Sequence, residues 1–381
     1  MTPLLQICET LIDWLNDTNL IAPKWSPTTW ETFKFACRVH GVAPLLHQKL
    51  NAATWLEPSI KTWLAQQHEF NRQRIAKMQA ELREILATFN QNNLRLMPLK
   101  GSILTASYYG EAGLRPMADL DLLIESESLP RSITLLEQLG YRERVAHWKH
   151  IEFIKPDNHR VVSTEVEHPD NPRGLEVHLA CRETFGGPTI ELTERMWENA
   201  VSGELLGQKA ALPNPEALWL HLVVHATYHI WQGRGRLIQL IDLARLSGHV
   251  DNGLTLLDTI DARYSYPSLA LLKRYFPTSL TNSVLAAQQA RVSTSFQTWV
   301  SRLDPVNSSY LSPNPAGLYL GKALRFSEGR PLEVLQALRF ALLPGLAEMA
   351  LDHPRLAQSK APWLAYFLLP VDWAKRLMGS K

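Results

Sequence analysis

The segment Asp119-Leu-Asp-Leu-Leu-Ile124 constrains this chain more than any other. Two acids stand at alternate positions in an otherwise apolar run. In an extended strand that spacing sends both carboxylates to one face, while Leu120 and Leu122 point the other way, toward a core. Two like charges a few ångströms apart repel each other. A divalent cation is the usual remedy, and Mg²⁺ takes one or two carboxylates together with substrate phosphates. A lone Asp-x-Asp also describes a pair of solvated loop acids, so its surroundings decide.

Upstream, Leu94–Met97 is a short apolar run ending at Pro98, suited to a strand, and the spacing predicts a helix over Ser102–Tyr109. Gly101-Ser102 therefore sits at a strand-to-helix junction. Glycine lets backbone approach a phosphate closely, and a helix N-terminus offers free N–H groups. Lys100 and Arg115 supply positive charge suited to a triphosphate. Downstream, Leu175, Val177 and Leu179 alternate with Glu176 and His178. A strand there, laid beside the Asp119 strand, brings Glu176 to the same metals, where such an acid can also polarise an attacking hydroxyl. Phosphoryl-type transfer asks for positioning and charge neutralisation more than covalent chemistry.

Around this segment the chain reads as helical. Apolar residues recur at helical spacing through Leu4–Trp14 and through a long segment from Ile60 to Phe89. The polar face of the latter carries Arg72, Arg74, Lys77, Glu81, Arg83 and Glu84 and reads as solvated. Asn90–Asn93 stop it. A helix over Ser132–Leu139 ends at Gly140, and strands are expected at Ile151–Ile154, Val161–Val162 and Leu175–Leu179. After Pro213-Asn-Pro215 helices resume at Ala217–Ile230 and Leu237–Leu246, the first capped by Asn214 with Pro215 in its first turn. Pro267, Pro277, Pro305, Pro313 and Pro331 punctuate the rest. The expected organisation is a helical region over residues 1–93, an α/β core over 94–212 and a helical domain over 213–381.

Composition narrows the function. Lys plus Arg number 39 against 37 Asp plus Glu, without the strong basic excess of a dedicated nucleic-acid binder. Cys8, Cys37 and Cys181 form no CxxC pair and read as buried thiols in a reducing compartment. The stretch Met1–Trp14 contains Glu9 and Asp13 and no basic region, unlike a signal peptide. No apolar run approaches the roughly 20 residues of a membrane span, so no transmembrane segment and a cytoplasmic location are expected.

Together, Leu99-Lys-Gly-Ser102, Leu114-Arg-Pro-Met-Ala-Asp-Leu-Asp-Leu-Leu-Ile124 and Leu175-Glu-Val-His-Leu179 resemble the DNA polymerase β-like nucleotidyltransferase superfamily, and more closely its bacterial family of uncharacterised nucleotidyltransferases. The resemblance covers mainly residues 95–245. It implies an α+β, mostly helical fold, with a central polymerase β-like mixed sheet between N-terminal and C-terminal helical regions. It also implies Mg²⁺ (or Mn²⁺) and an NTP donor, with Asp119, Asp121 and Glu176 as metal ligands and catalytic acids and Gly101 and Ser102 as the phosphate loop. A His-rich helix followed by one like Leu237–Ala244 is frequent in that family, which singles out His225 and Asp242 near the nucleotide or acceptor. The expected reaction moves an NMP from NTP to an acceptor hydroxyl with release of pyrophosphate. The acceptor is an unknown small molecule, peptide or protein, with nucleic acid less favoured. The alternative is a catalytically silent nucleotide-binding or regulatory protein, such as an antitoxin-like partner.

Three further features stay open. His221, His225 and His229 share one helix face at i, i+4, i+8, a spacing that fits a core face, a pocket lining or a zinc site. Gly233-Arg-Gly-Arg236 reads as a turn or a phosphate contact. Trp363–Leu377 reads as a helix docked on the protein's own core, or as a segment touching a membrane surface.

Overall fold

The computed structural model describes residues 2–16, 20–111, 113–146, 150–164, 167–251, 253–312, 319–342, 362–368 and 370. Three helices come first. Helix α1 (Pro3–Leu15) is capped by Thr2, and α2 (Pro27–His40) is capped by Ser26 and closed by Gly41 at φ 69°. A short α3 (Ala43–Leu50) leads to the long α4 (Pro58–Gln91). Next come β1 (Leu96–Leu99), α5 (Lys100–Ser107), β2 (Asp119–Ile124), α6 (Leu129–Gln138), β3 (Arg142–Ala146), β4 (His150–Ile154) and β5 (Gly174–His178). Two hairpins follow, β6 (Arg182–Thr184) with β7 (Thr189–Glu191), and, after α7 (Thr193–Glu198), β8 (Ala200–Leu205) with β9 (Gln208–Pro213). Then α8 (Pro215–Gln232) and α9 (Leu237–Ser247) begin a helical stretch that continues beyond residue 247. The Asn214 side chain caps α8 by accepting from Ala217 N–H, as its sequence predicts.

The central sheet is mixed, ordered β1-β2-β5-β4-β3, with β2 and β5 parallel and the other pairs antiparallel. Its apolar face, built from Leu120, Leu122, Leu175, Val177 and Phe153, packs on Ile75, Met78, Leu82 and Ile85 of α4 and on Leu135 and Leu136 of α6. A second core joins the N-terminal helices to α8 and α9 through Trp14, Phe33, Leu46, Trp219, Val223 and Leu243. The sheet's acidic face is left between these two cores.

Several expectations need correction. Val161–Val162 is not a strand: Val161 is 63% exposed, and the N–H groups of Val162 and Ser163 donate to the Asn171 side chain instead of a ladder. The polar face of α4 is not uniformly solvated, because Arg74 is only 2% exposed. Pro267 and Pro331 lie in the first turns of helices rather than breaking them, as the preset φ of proline allows. Of the Trp363–Leu377 segment only 363–368 and 370 are described, and there Trp363 and Phe367 are 56% and 72% exposed instead of docked. Pro313 lies outside the described residues. Cys8, Cys37 and Cys181 are buried free thiols, as read from the sequence. Among the described residues, no helix is long and apolar enough to cross a membrane.

Candidate active site

Pairing of β2 with β5 sets Asp121 directly opposite Glu176, with Asp119 opposite Gly174. Directly opposed residues share a face, so the three acids stand together on the side away from α4. Position i+2 on β5 adds His178 to that face. Antiparallel pairing of β4 then adds Glu152 opposite Glu176 and His150 opposite His178. The His178 Nε2 lies 2.9 Å from Asp121 Oδ1 and 3.2 Å from Glu176 Oε2. His150 Nε2 is 3.5 Å from Glu176 Oε1.

The strand-to-helix junction presses against the same acids. Lys100 opens α5 at φ 44°, a left-handed conformation uncommon outside glycine. It places the Lys100 ammonium 2.6 Å from Asp121 Oδ1. Ser102 is buried, and its hydroxyl accepts from Asp121 N–H at 2.8 Å. Ser102 therefore pins α5 to β2 at the level of the second acid. A Cβ on Gly101 would lie 2.6 Å from Arg115 Nη1 and 2.8 Å from Met117 Sδ, so a larger residue there would have to displace these two side chains.

Electrostatics separate the three acids. Burial, together with the neighbouring charges of Asp121 and Glu176, pushes Asp119 well above the ordinary carboxylate range. Burial works the same way on Asp121, but the Lys100 ammonium and the His178 hydrogen bond outweigh it and hold Asp121 well below that range. Glu176 is lowered too, with burial opposed by its hydrogen bond from His178 and by Lys100. The cluster thus carries more negative charge than Lys100 offsets, and Asp119 bears the excess as an unfavourable ionisation. An oxygen-rich set with surplus negative charge fits a divalent cation. Asp119, Asp121 and Glu176 are the residues that could hold it.

These acids form one wall of a cavity of about 460 Å³, within the range of small-molecule sites. Helices α8 and α9 form the opposite wall, with His225, Tyr228, His229, Arg234, Arg236 and Gln239. Gly233, at φ 74°, ends α8 and turns the chain so that Arg234 and Arg236 both reach the cavity. Arg236 also donates from Nε to Val39 O at 2.9 Å. Arg115 is turned toward Asp242, with Nε and Nη2 each 2.8 Å from one carboxylate oxygen. Tyr109 donates its hydroxyl to the same carboxylate at 2.7 Å. This buried triad locks α9 to the loop that leads into β2. His225 Nδ1 lies 2.7 Å from the buried Glu183 of β6. His221 is buried, whereas His225 and His229 line the cavity, so the three-histidine face is split between core and pocket.

Four residues escape the sequence reading. His178 was legible, because it shares the alternation that singles out Glu176. His150 and Glu183 depend on strand partners that sequence does not name. Arg74 is the fourth: from α4 its guanidinium donates to Met117 O and Ala118 O, just before β2, and to Asn171 O and Pro172 O, just before β5. One side chain thereby fixes the entry of both acid-bearing strands.

A family profile that matches most of the chain places this protein in the nucleotidyltransferase class. The chain belongs to the family described as uncharacterised nucleotidyltransferases, whose profile matches residues 26–264. Comparison with curated proteins returned no match. Among solved structures, the antibiotic-resistance factor ANT(2″)-Ia is similar in solution at 14% identity over 54% of this chain and 95% of that one, with a TM-score of 0.33. Its crystal structure with adenylyl-2″-tobramycin gives 15% identity, 52% and 99% coverage and a TM-score of 0.32. An antigenic nucleotidyltransferase-like protein from Paracoccidioides brasiliensis gives 14%, 60%, 95% and 0.34.

Proposed function

We propose that this protein transfers an NMP from an NTP to a small-molecule, peptide or protein acceptor in a metal-dependent reaction that releases pyrophosphate. The observation that carries this reading is the convergence of Asp119, Asp121 and Glu176 from two paired strands at one cavity wall. Asp119 and Asp121 hold the divalent cations, and Glu176 completes the ligand set. When bound, those cations neutralise developing charge on the phosphate oxygens and lower the pKa of the acceptor hydroxyl.

The chain's own groups do the rest. Lys100 keeps Asp121 ionised and, lining the cavity, would add positive charge beside a bound triphosphate. Ser102 and Arg74 hold the strands that carry the acids. Arg234 and Arg236, on the opposite wall, offer the cationic surface for the triphosphate, and the Arg115–Asp242 pair positions the loop before Asp119. His225, oriented by Glu183, lies where the nucleotide or acceptor enters. An intact acid set favours turnover over a silent, regulatory role.

Calorimetry with ATP tests the reading. Binding is expected in the presence of Mg²⁺, absent without it, and lost in Asp119→Asn/Asp121→Asn. Metal-independent binding, or binding unaffected by that double substitution, would contradict it.

A further inference from the structure

The acids are not the only metal donors on this face. His150 Nε2, the Glu176 carboxylate and His178 Nε2 offer three ligand atoms that all lie within 4.8 Å of one another. The register produces this grouping: His150 opposes His178, and Glu176 is two residues from His178 on the same strand face. The separations from Glu176 are 3.5 Å to His150 and 3.2 Å to His178. Ligand bonds of about 2.0–2.2 Å to one ion place neighbouring ligand atoms roughly 3–3.5 Å apart. His150 stands against Oε1 and His178 against Oε2 of Glu176, so side-chain rotations that draw the three ligand atoms in from a spread of up to 4.8 Å seat one ion among them. All three residues project from paired strands, so the backbone beneath the site is fixed.

The ligand chemistry identifies the ion's class. Mg²⁺ demands oxygen ligands in octahedral order and keeps much of its water. Two imidazoles instead suit zinc and its transition-metal neighbours. Two histidines and one glutamate leave a fourth position open to water or substrate, as catalytic rather than structural zinc sites do. Asp121 Oδ1, 2.9 Å from His178 Nε2, stands at the edge of that position.

We propose that His150, His178 and Glu176 form a binding site for a divalent transition cation of the zinc class. The site shares Glu176 with the transfer reaction and rests on that reading for its role. Asp119, one row further along β2, remains an oxygen ligand for a magnesium-type ion.

The test uses the full-length, metal-free protein. Zn²⁺ and Mg²⁺ binding are measured by calorimetry, and Co²⁺ serves as a spectroscopic stand-in for Zn²⁺. The inference expects Zn²⁺ to bind more tightly than Mg²⁺, and Co²⁺ to give the visible absorption of a nitrogen-ligated site of low coordination number. His150→Ala and His178→Gln each weaken Zn²⁺ binding at least about tenfold. The wild-type Co²⁺ spectrum needs no variant, so misfolding of either substitution leaves the inference testable. A Co²⁺ spectrum of all-oxygen octahedral type, or Zn²⁺ affinity unchanged in both variants, overturns the inference and leaves a carboxylate-only transfer site standing. No binding of any divalent cation by the wild type overturns both.

Discussion

Asp121 faces Glu176 directly across the parallel β2–β5 pair, and the Lys100 ammonium sits 2.6 Å from Asp121. The lysine neutralises part of the charge of the acid cluster. Lys100→Met is therefore expected to weaken Mg²⁺·NTP binding and lower turnover about 10²-fold or more, by removing a cation at the reacting phosphates. Steady-state kinetics with separate KM and kcat values check it.

The raised pKa of Asp119 makes a stability prediction whose sign is specific. An acid whose folded pKa lies above its unfolded value favours the folded state only while protonated. The cost of ionising it grows as pH rises from about 4, the unfolded value, and is complete above the raised folded value. Asp119→Asn removes that cost. The metal-free variant is expected to melt higher than the wild type at neutral and alkaline pH, with the difference shrinking toward pH 4, while transfer activity falls by about 10³-fold or more. Thermal unfolding across pH, without metal, checks the first part. A wild-type protein more stable than the variant at pH 8 would contradict it.

Arg115 and Asp242 form a buried two-pronged pair, with side-chain exposures of 11% and 2%. Removing one partner leaves an uncompensated charge in the interior. Asp242→Leu is expected to cost about 3–5 kcal/mol, and Arg115→Met/Asp242→Leu to recover most of that loss. Denaturant unfolding of the two variants measures it.

Gly101→Ala tests the close approach of α5 to the Arg115 loop. The added Cβ meets Arg115 Nη1 and Met117 Sδ at less than 3 Å. Overpacking of this kind costs about 1–3 kcal/mol, and displacement of the loop is expected to lower kcat more than it raises the NTP KM. A variant with wild-type stability and kinetics would show that the approach is not tight.

Part of this site is legible in sequence because β2 alternates acids with apolar residues on its first four positions. Alternation in Asp119-Leu-Asp-Leu reports strand and face at once, and the same logic reaches Glu176. Asn214-Pro215 marks the start of α8 through local capping chemistry alone. What stays hidden depends on pairing at long range. The partners that the residues around position 100 take within the chain are of that kind: Ser102 bonds Asp121 N–H, Gly101 makes room for Arg115, and Arg115 turns to Asp242. Arg74 illustrates the limit most clearly. Its place on the polar face of an amphipathic helix says solvent, whereas the carbonyls before β2 and β5 converge on it. Val161–Val162 has the composition of a strand, but Asn171 satisfies its N–H groups locally.

Arg74→Met isolates that long-range contribution. Four backbone carbonyls lose a charged donor, which is expected to cost about 2–5 kcal/mol. The entries of both acid-bearing strands loosen, so metal affinity and kcat fall together, although Arg74 is not a catalytic residue. Calorimetric Mg²⁺·ATP titration beside the unfolding curve distinguishes positioning from bulk destabilisation.

The central claim is metal-dependent transfer through Asp119, Asp121 and Glu176. Its most direct test incubates the pure protein with each α-labelled NTP, Mg²⁺ or Mn²⁺, and a cell extract as acceptor mixture, beside Asp119→Ala/Asp121→Ala. The account predicts that label moves onto an extract component only with the intact acids and a divalent cation, and that pyrophosphate appears in equal amount. Label transfer that persists in the double variant, or none with any NTP under any of these conditions, would contradict it.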